Sequence, residues 1–243
     1  SAQITFALFF IYFGAKLIVS GEKNSGGVLW LILIAAILTG LRYEDIFLVL
    51  TVSVFLTVKK KYLPALLILL AGVLPIIIYG IISSSHGWFF LPNPVLVKSK
   101  ILDLSLVEIL KILPRGVKRA LEPDIMFLLP PMIFSAVTLY NNRREPLTQK
   151  AVMLIIFISV YILHMIFAQT GWYFRYEAYL VAMGIVVLYI FIYEHLPCIR
   201  GKEKNMAPIF YKLKPVIYVI MILSMAGRAS SSFLVPQASN NIY

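Results

Sequence analysis

GVLWLILIAAILTGLRYEDIFLVLTVSVFLTVKKK, residues 27–61, is the stretch whose reading decides the fold. Its apolar run from 27 to 58 is broken once, by the polar turn GLRYED from Gly40 to Asp45. A spanning helix needs about 20 apolar residues, so the run is too long for one crossing. It is also short for two. Helices of about 13–15 residues reach only about 20–22 Å at 1.5 Å per residue, against about 30 Å of hydrocarbon. Charge resolves the conflict: Lys23 before the run and Lys59, Lys60 and Lys61 after it belong on the same side of a bilayer, so the chain turns back at GLRYED. With both helices undersized, the turn lies recessed below the opposite surface. Polar backbone at that depth is tolerated only where it lines a protein-enclosed or watery cavity, so a cleft open to the outer side is expected.

The rest of the chain is made of the same material. Of its 243 residues 60% are apolar and 14% charged, where soluble domains have about 45–50% and 25%. Apolar runs at about 2–20, 28–41, 46–58, 63–83, 124–140, 151–169, 178–196 and 215–234 predict about eight transmembrane helices, so the fold class is an all-α integral membrane protein. Helices are required because an isolated spanning segment must satisfy its own backbone hydrogen bonds, and no two-residue alternation competes. Residues 1–234 form the predicted bundle and 235–243 begin an outer C-terminal segment. Between the fourth and fifth spans lies a long outer loop, 84–123. Its second half, KILDLSLVEILKILPRGVKRALE, is amphipathic and predicts an interfacial helix over 101–121, with Pro114 kinking or ending its first part.

The net charge of +11 does not point to nucleic acid, because the basic residues sit in the joints between spans. If the chain enters from the outer side, four short inner loops (Lys23; Lys59 to Lys61; Arg143, Arg144 and Lys150; Arg200, Lys202, Lys204, Lys212 and Lys214) hold 12 of the 22 basic residues. Glu44, Asp45, Asp103, Glu108, Glu122, Asp124 and Glu177 then fall outside. Lys16, near the inner end of the first span, is expected to snorkel to the headgroups. Cys198 is the only cysteine, so no intrachain disulfide forms. The chain opens at Ser1 without an initiator Met and runs directly into an apolar segment, as expected of a piece of a longer protein lacking its N-terminal part.

Four polar clusters fall on the outer face: Arg42 to Asp45; His86-Gly87-Trp88; Leu91-Pro92-Asn93-Pro94 with Lys98 and Lys100; and Gly171 to Glu177. Basic groups suit a phosphate or pyrophosphate, carboxylates suit hydroxyl recognition or general-base work, and aromatics suit a sugar ring or a lipid chain. The same Trp and Tyr residues also suit an interfacial belt. No Walker-type or GxGxxG loop, His/Cys metal spacing, GxSxG elbow or DxD pair occurs. Glu122-Pro123-Asp124 suits a helix N-terminus better than a metal, so a divalent metal is possible but not indicated. His164, inside the sixth span, is expected to hydrogen-bond a neighbouring helix.

LRYED at 41–45, GWFFLPNPVLVKSK at 87–100 and GWYFRYEAYL at 171–180 together resemble the GT-C class of polytopic glycosyltransferases, which take a sugar from a polyprenyl-phosphate carrier on the extracytoplasmic side. The strings cover about 30 residues, and their alternation with hydrophobic helices extends the likeness over most of the chain. The resemblance implies a membrane bundle topped by in-plane helices and inverting transfer to a glycan, lipid or protein acceptor at the cell or inner membrane. Polyprenyl-phosphate sugar is then the donor, and membrane lipids surround the bundle. Arg42, Lys98 or Arg175 would bind the carrier phosphate and Asn93 would position a loop or hydroxyl, with His86 and Glu177 completing the substrate-binding set. Glu44 and Asp45 are the catalytic candidates. The class usually carries its main carboxylate in the first outer loop, which the resemblance locates upstream of Ser1. A transporter or flippase of lipid-linked saccharides also needs a basic, aromatic cavity, and a non-catalytic membrane subunit is the third alternative.

Overall fold

The computed structural model describes residues 2–20, 25–90, 114–122, 125–168 and 178–195, and among these the structure is entirely helical apart from turns. In chain order the helices are α1 (Ala2–Val19), α2 (Ser25–Leu41), α3 (Ile46–Val58), α4 (Tyr62–Ser85), α5 (114–120), α6 (Leu129–Asn141), α7 (Gln149–Phe167) and α8 (Ala178–His195). Short 3-10 turns over Tyr43–Asp45 and Met126–Leu128 lead into α3 and α6. Among the described residues three helices, α1, α4 and α7, are long and apolar enough to cross a membrane. The expected span at 215–234 and the first part of the interfacial helix, 101–113, lie outside the described residues. The part of that helix within the described residues is α5.

The distribution of apolar residues is compatible with a helical membrane protein. Phe10, Leu31, Leu38, Leu48, Leu56 and Ile68 are sealed in the core, while Leu63, Leu66, Leu70, Leu74, Ile78 and Ile82 of α4 point outward. In water so continuous an exposed apolar face would be a liability; in lipid it faces its natural solvent. Two buried hydroxyls on the helices bond back to their own turns, Thr39 to the Ala35 carbonyl at 3.0 Å and Ser135 to that of Pro131 at 2.8 Å. Such back-bonding needs no partner helix.

Small residues let the helices approach closely. A Cβ placed on Gly14 would sit 3.2 Å from Val52, and one on Gly72 only 2.7 Å from Val49. These contacts dock α3 between α1 and α4, as close approach through small residues does in membrane bundles. The fifth predicted span, 124–140, is shorter than expected: the regular helix begins at Leu129 and has 13 residues. Pro130 and Pro131 stand at its first positions, where a missing N–H costs nothing and φ is preset. The residues before them form the 3-10 turn instead.

The ends of the helices sort into two groups. At one end the Gln3 side chain meets Asp45, Phe47 meets Phe167, and Arg119 meets the end of α7. At the other, the Lys61 amine donates to the carbonyls of Leu17 and Ser20, closing the end of α1 against the α3–α4 joint. This is the up-and-down alternation that the lysine joints imply. Lys60 takes φ 61° in that tight joint, and Lys16 stands exposed on α1.

Candidate functional site

The turn at Gly40 to Asp45 forms where the chain reverses between α2 and α3. α2 stops at Leu41, Arg42 is extended at φ −153°, and the 3-10 turn hands directly into α3. Its depth is fixed by α4. A Cβ on Gly40 would meet that of Pro75 at 3.8 Å, and α4 continues to Ser85, ten residues or about 15 Å further along the axis. The turn is therefore recessed below the end of the longest helix, as the undersized flanking helices require.

Polar groups are concentrated in this recess. Asp45 is fully buried and Glu44 is 6% exposed. The Gln3 amide donates to both Asp45 carboxylate oxygens, at 3.0 and 3.1 Å. Arg42 stands 3.8 Å from Glu44, and its side chain, 17% exposed, is the more open of the two. Burial pushes the Asp45 carboxyl, in the turn outside both helices, up to about 7, against the lowering effects of Gln3 and Arg42. Desolvation outweighs pairing here. Glu44 and Arg42 face each other as an ion pair beside Asp45.

The remaining predicted residues divide sharply. His86 does not join Arg42, Glu44 and Asp45: it follows the end of α4, about 16 Å along the axis from the level of the turn. There its Nδ1 lies 2.8 Å from the Ile82 carbonyl and its ring stacks on Trp88 at 5.6 Å. The following chain folds back on α4, with Ser83 donating to the Phe89 carbonyl at 2.6 Å and the Phe90 ring pressed on Gly80. Asn93, Lys98, Arg175 and Glu177 lie outside the described residues.

Two features of this end, Gln3 and Arg119, carry no separate signature in the sequence. Gln3 is a lone amide in an apolar run; only its position at the same end as GLRYED marks it. Arg119 on α5 donates to the carbonyls of Met165, Ile166 and Ala168 at 3.2, 3.2 and 2.6 Å, supplying the end of α7 with the cation its dipole and open carbonyls favour. Gly116 permits the approach, since a Cβ there would sit 3.1 Å from Ile166. One turn inward, the fully buried His164 is 2.9 Å from the Tyr179 hydroxyl of α8, and its ring meets Phe47 edge-on at 6.3 Å. The interhelical hydrogen bond expected of His164 is present. No protein-family model matches the chain, and no curated protein or solved structure is significantly similar to it.

Proposed function

We propose that this chain is the membrane bundle of a GT-C-like glycosyltransferase with about eight spans, moving a sugar from a polyprenyl-phosphate carrier to an acceptor on the extracytoplasmic side. The observation that carries the reading is the recessed turn, which gathers a cation and two carboxylates below the end of α4. In that reading the Arg42 guanidinium binds the phosphate of the carrier, where a planar cation suits an oxyanion. Glu44, released from Arg42 as the phosphate takes its place, accepts the proton of the acceptor hydroxyl. The acceptor oxygen bonds to the anomeric carbon, the bond from that carbon to the phosphate oxygen breaks, and polyprenyl phosphate leaves with the electron pair beside Arg42. Asp45, sealed and held by Gln3, is a positioning residue.

The test is transfer of radiolabelled sugar by the full chain in proteoliposomes supplied with polyprenyl-phosphate sugars and candidate acceptors. Glu44→Gln is expected to lower turnover by about 10²–10⁴-fold, the usual contribution of a positioned base, and Arg42→Ala to raise KM for the donor. No transfer from any such donor, or movement of intact donor between leaflets without transfer, contradicts the proposal.

A further inference from the structure

We propose that residues 88–90, after α4, are a lid over the recessed turn at residues 40–45, hinged at Gly87. On the transferase reading, on which this role rests, the lid opens to admit the phosphate and sugar of the donor. Glu44 is 6% exposed and the Arg42 side chain 17%, so a sugar phosphate has no room beside Glu44 until a wall moves. Helix register places residues 88–90 above the turn. Ser83 lies eleven residues from Gly72, three turns of helix, and so shares the face of α4 that packs on Val49. Because α3 and α4 run in opposite directions, that face continues past the start of α3. Val49 is four residues from Asp45, and Gly72 is eight from Gly80. Gly80 therefore stands about 6 Å, and Ser83 about 10 Å, above the level of Asp45. The lid is attached at these two residues. The Ser83 hydroxyl donates to the Phe89 carbonyl at 2.6 Å, and the Phe90 ring lies against Gly80.

Among the described walls of the recess, this one is the most lightly held. Gln3 of α1 donates twice to Asp45, Gly40 packs on Pro75, and Phe47 of α3 packs on His164 and Phe167 of α7. The lid adds to its Ser83 and Gly80 contacts only short tethers to the end of α4: the Trp88 N–H donates to the Ser83 carbonyl at 3.0 Å, and the Trp88 ring stacks on His86. Trp88 and Phe89 are 70% and 69% exposed. Gly87 takes φ 76°, the left-handed region that glycine enters without steric cost, and a Cβ there would meet nothing within 4 Å. The hinge is thus a matter of backbone alone. Gly80 is the seat: a Cβ on it would stand 2.5 Å from the Phe90 ring, so a side chain there holds the lid off. Segments that close over a bound substrate in this way complete and sequester a reaction site.

Labelling of Tyr43→Cys by a membrane-impermeant maleimide, in the full chain with Cys198→Ser in sealed vesicles, tests the lid without sugar transfer. Gly87→Ala acts through the backbone alone and is expected to raise the labelling rate from the Ser85 side about 5–30-fold, the worth of a left-handed residue that carries a side chain. Gly80→Ala displaces the Phe90 ring while improving the helix, and Phe90→Ala removes the ring and leaves α4 unaltered; both should also raise the rate. Lys60→Cys should stay unlabelled from that side in all three variants, which separates lid opening from unfolding. An unchanged Tyr43→Cys rate in Gly80→Ala and Phe90→Ala, or a rise matched by labelling of Lys60→Cys from the same side, would overturn the proposal. If the rates respond as expected but no polyprenyl-phosphate sugar is turned over, the lid stands and the transferase assignment alone fails.

Discussion

Asp45 and Gly72 show how single residues set the balance in this bundle. Because burial raises the Asp45 carboxyl from 3.8 to about 7, the folded protein holds a proton that the unfolded chain releases above about pH 4. The stability contributed by Asp45 is therefore full below about pH 4 and is lost as pH rises from there through about 7, by as much as about 4 kcal/mol. Thermal unfolding in detergent across this range should show the decline, and Asp45→Asn, which cannot ionise, should flatten it. An unchanged slope in the variant would refute the assignment. At Gly72 the constraint is steric. Val49 is β-branched and stiff, so Gly72→Ala should cost about 1–3 kcal/mol by overpacking. Gly72→Ala combined with Val49→Ala should recover part of that loss, and a purely additive double mutant would show that the contact is not what matters. Neither effect is legible in the sequence, since Gly72 lies in an unbroken apolar run and its partner is 23 positions away.

Among the elements, the turn between α2 and α3 was the most legible, because Gly40, Arg42, Glu44 and Asp45 interrupt two apolar runs that are each too short to span. Its level followed from helix length alone. The start of α6 was not legible in the same way: Pro130 and Pro131 lie within an otherwise apolar run, and the helix starts beside them, after the 3-10 turn at Met126–Leu128. In α5 the sequence pattern marks an amphipathic stretch and gives Arg119 no partner. Arg119 in fact bonds main-chain carbonyls up to 49 positions away, and no side-chain pattern encodes such partners. Arg119→Ala should loosen the end of α7 by about 1.5–3 kcal/mol, the range for hydrogen bonds to a charged group. Faster hydrogen exchange should then be seen in the last turn of α7. Arg119→Lys, with one ammonium where the guanidinium spans three carbonyls, should protect it only partly, and exchange equal to wild type in both variants would contradict the capping role.

At the scale of the whole molecule, composition separated membrane from soluble folds, and the lysine joints gave the alternation of the helices. The geometry joins these observations: Gln3, Asp45, Phe167 and Arg119 meet at one end, and Leu17, Ser20 and Lys61 at the other. The outward apolar face of α4 then belongs in lipid, and the cation and carboxylates collect where the short helices leave a recess. The central claim is that this polar turn opens to water below the outer surface of a spanning bundle. Cysteine accessibility in sealed vesicles, on a Cys198→Ser background, tests it most directly with Ser85→Cys, Tyr43→Cys and Lys60→Cys. The account predicts that a membrane-impermeant maleimide reaches Ser85→Cys and Tyr43→Cys from the same side, Tyr43→Cys more slowly, and Lys60→Cys only from the other. Labelling of Tyr43→Cys from the Lys60 side, or as fast as Ser85→Cys, would contradict it.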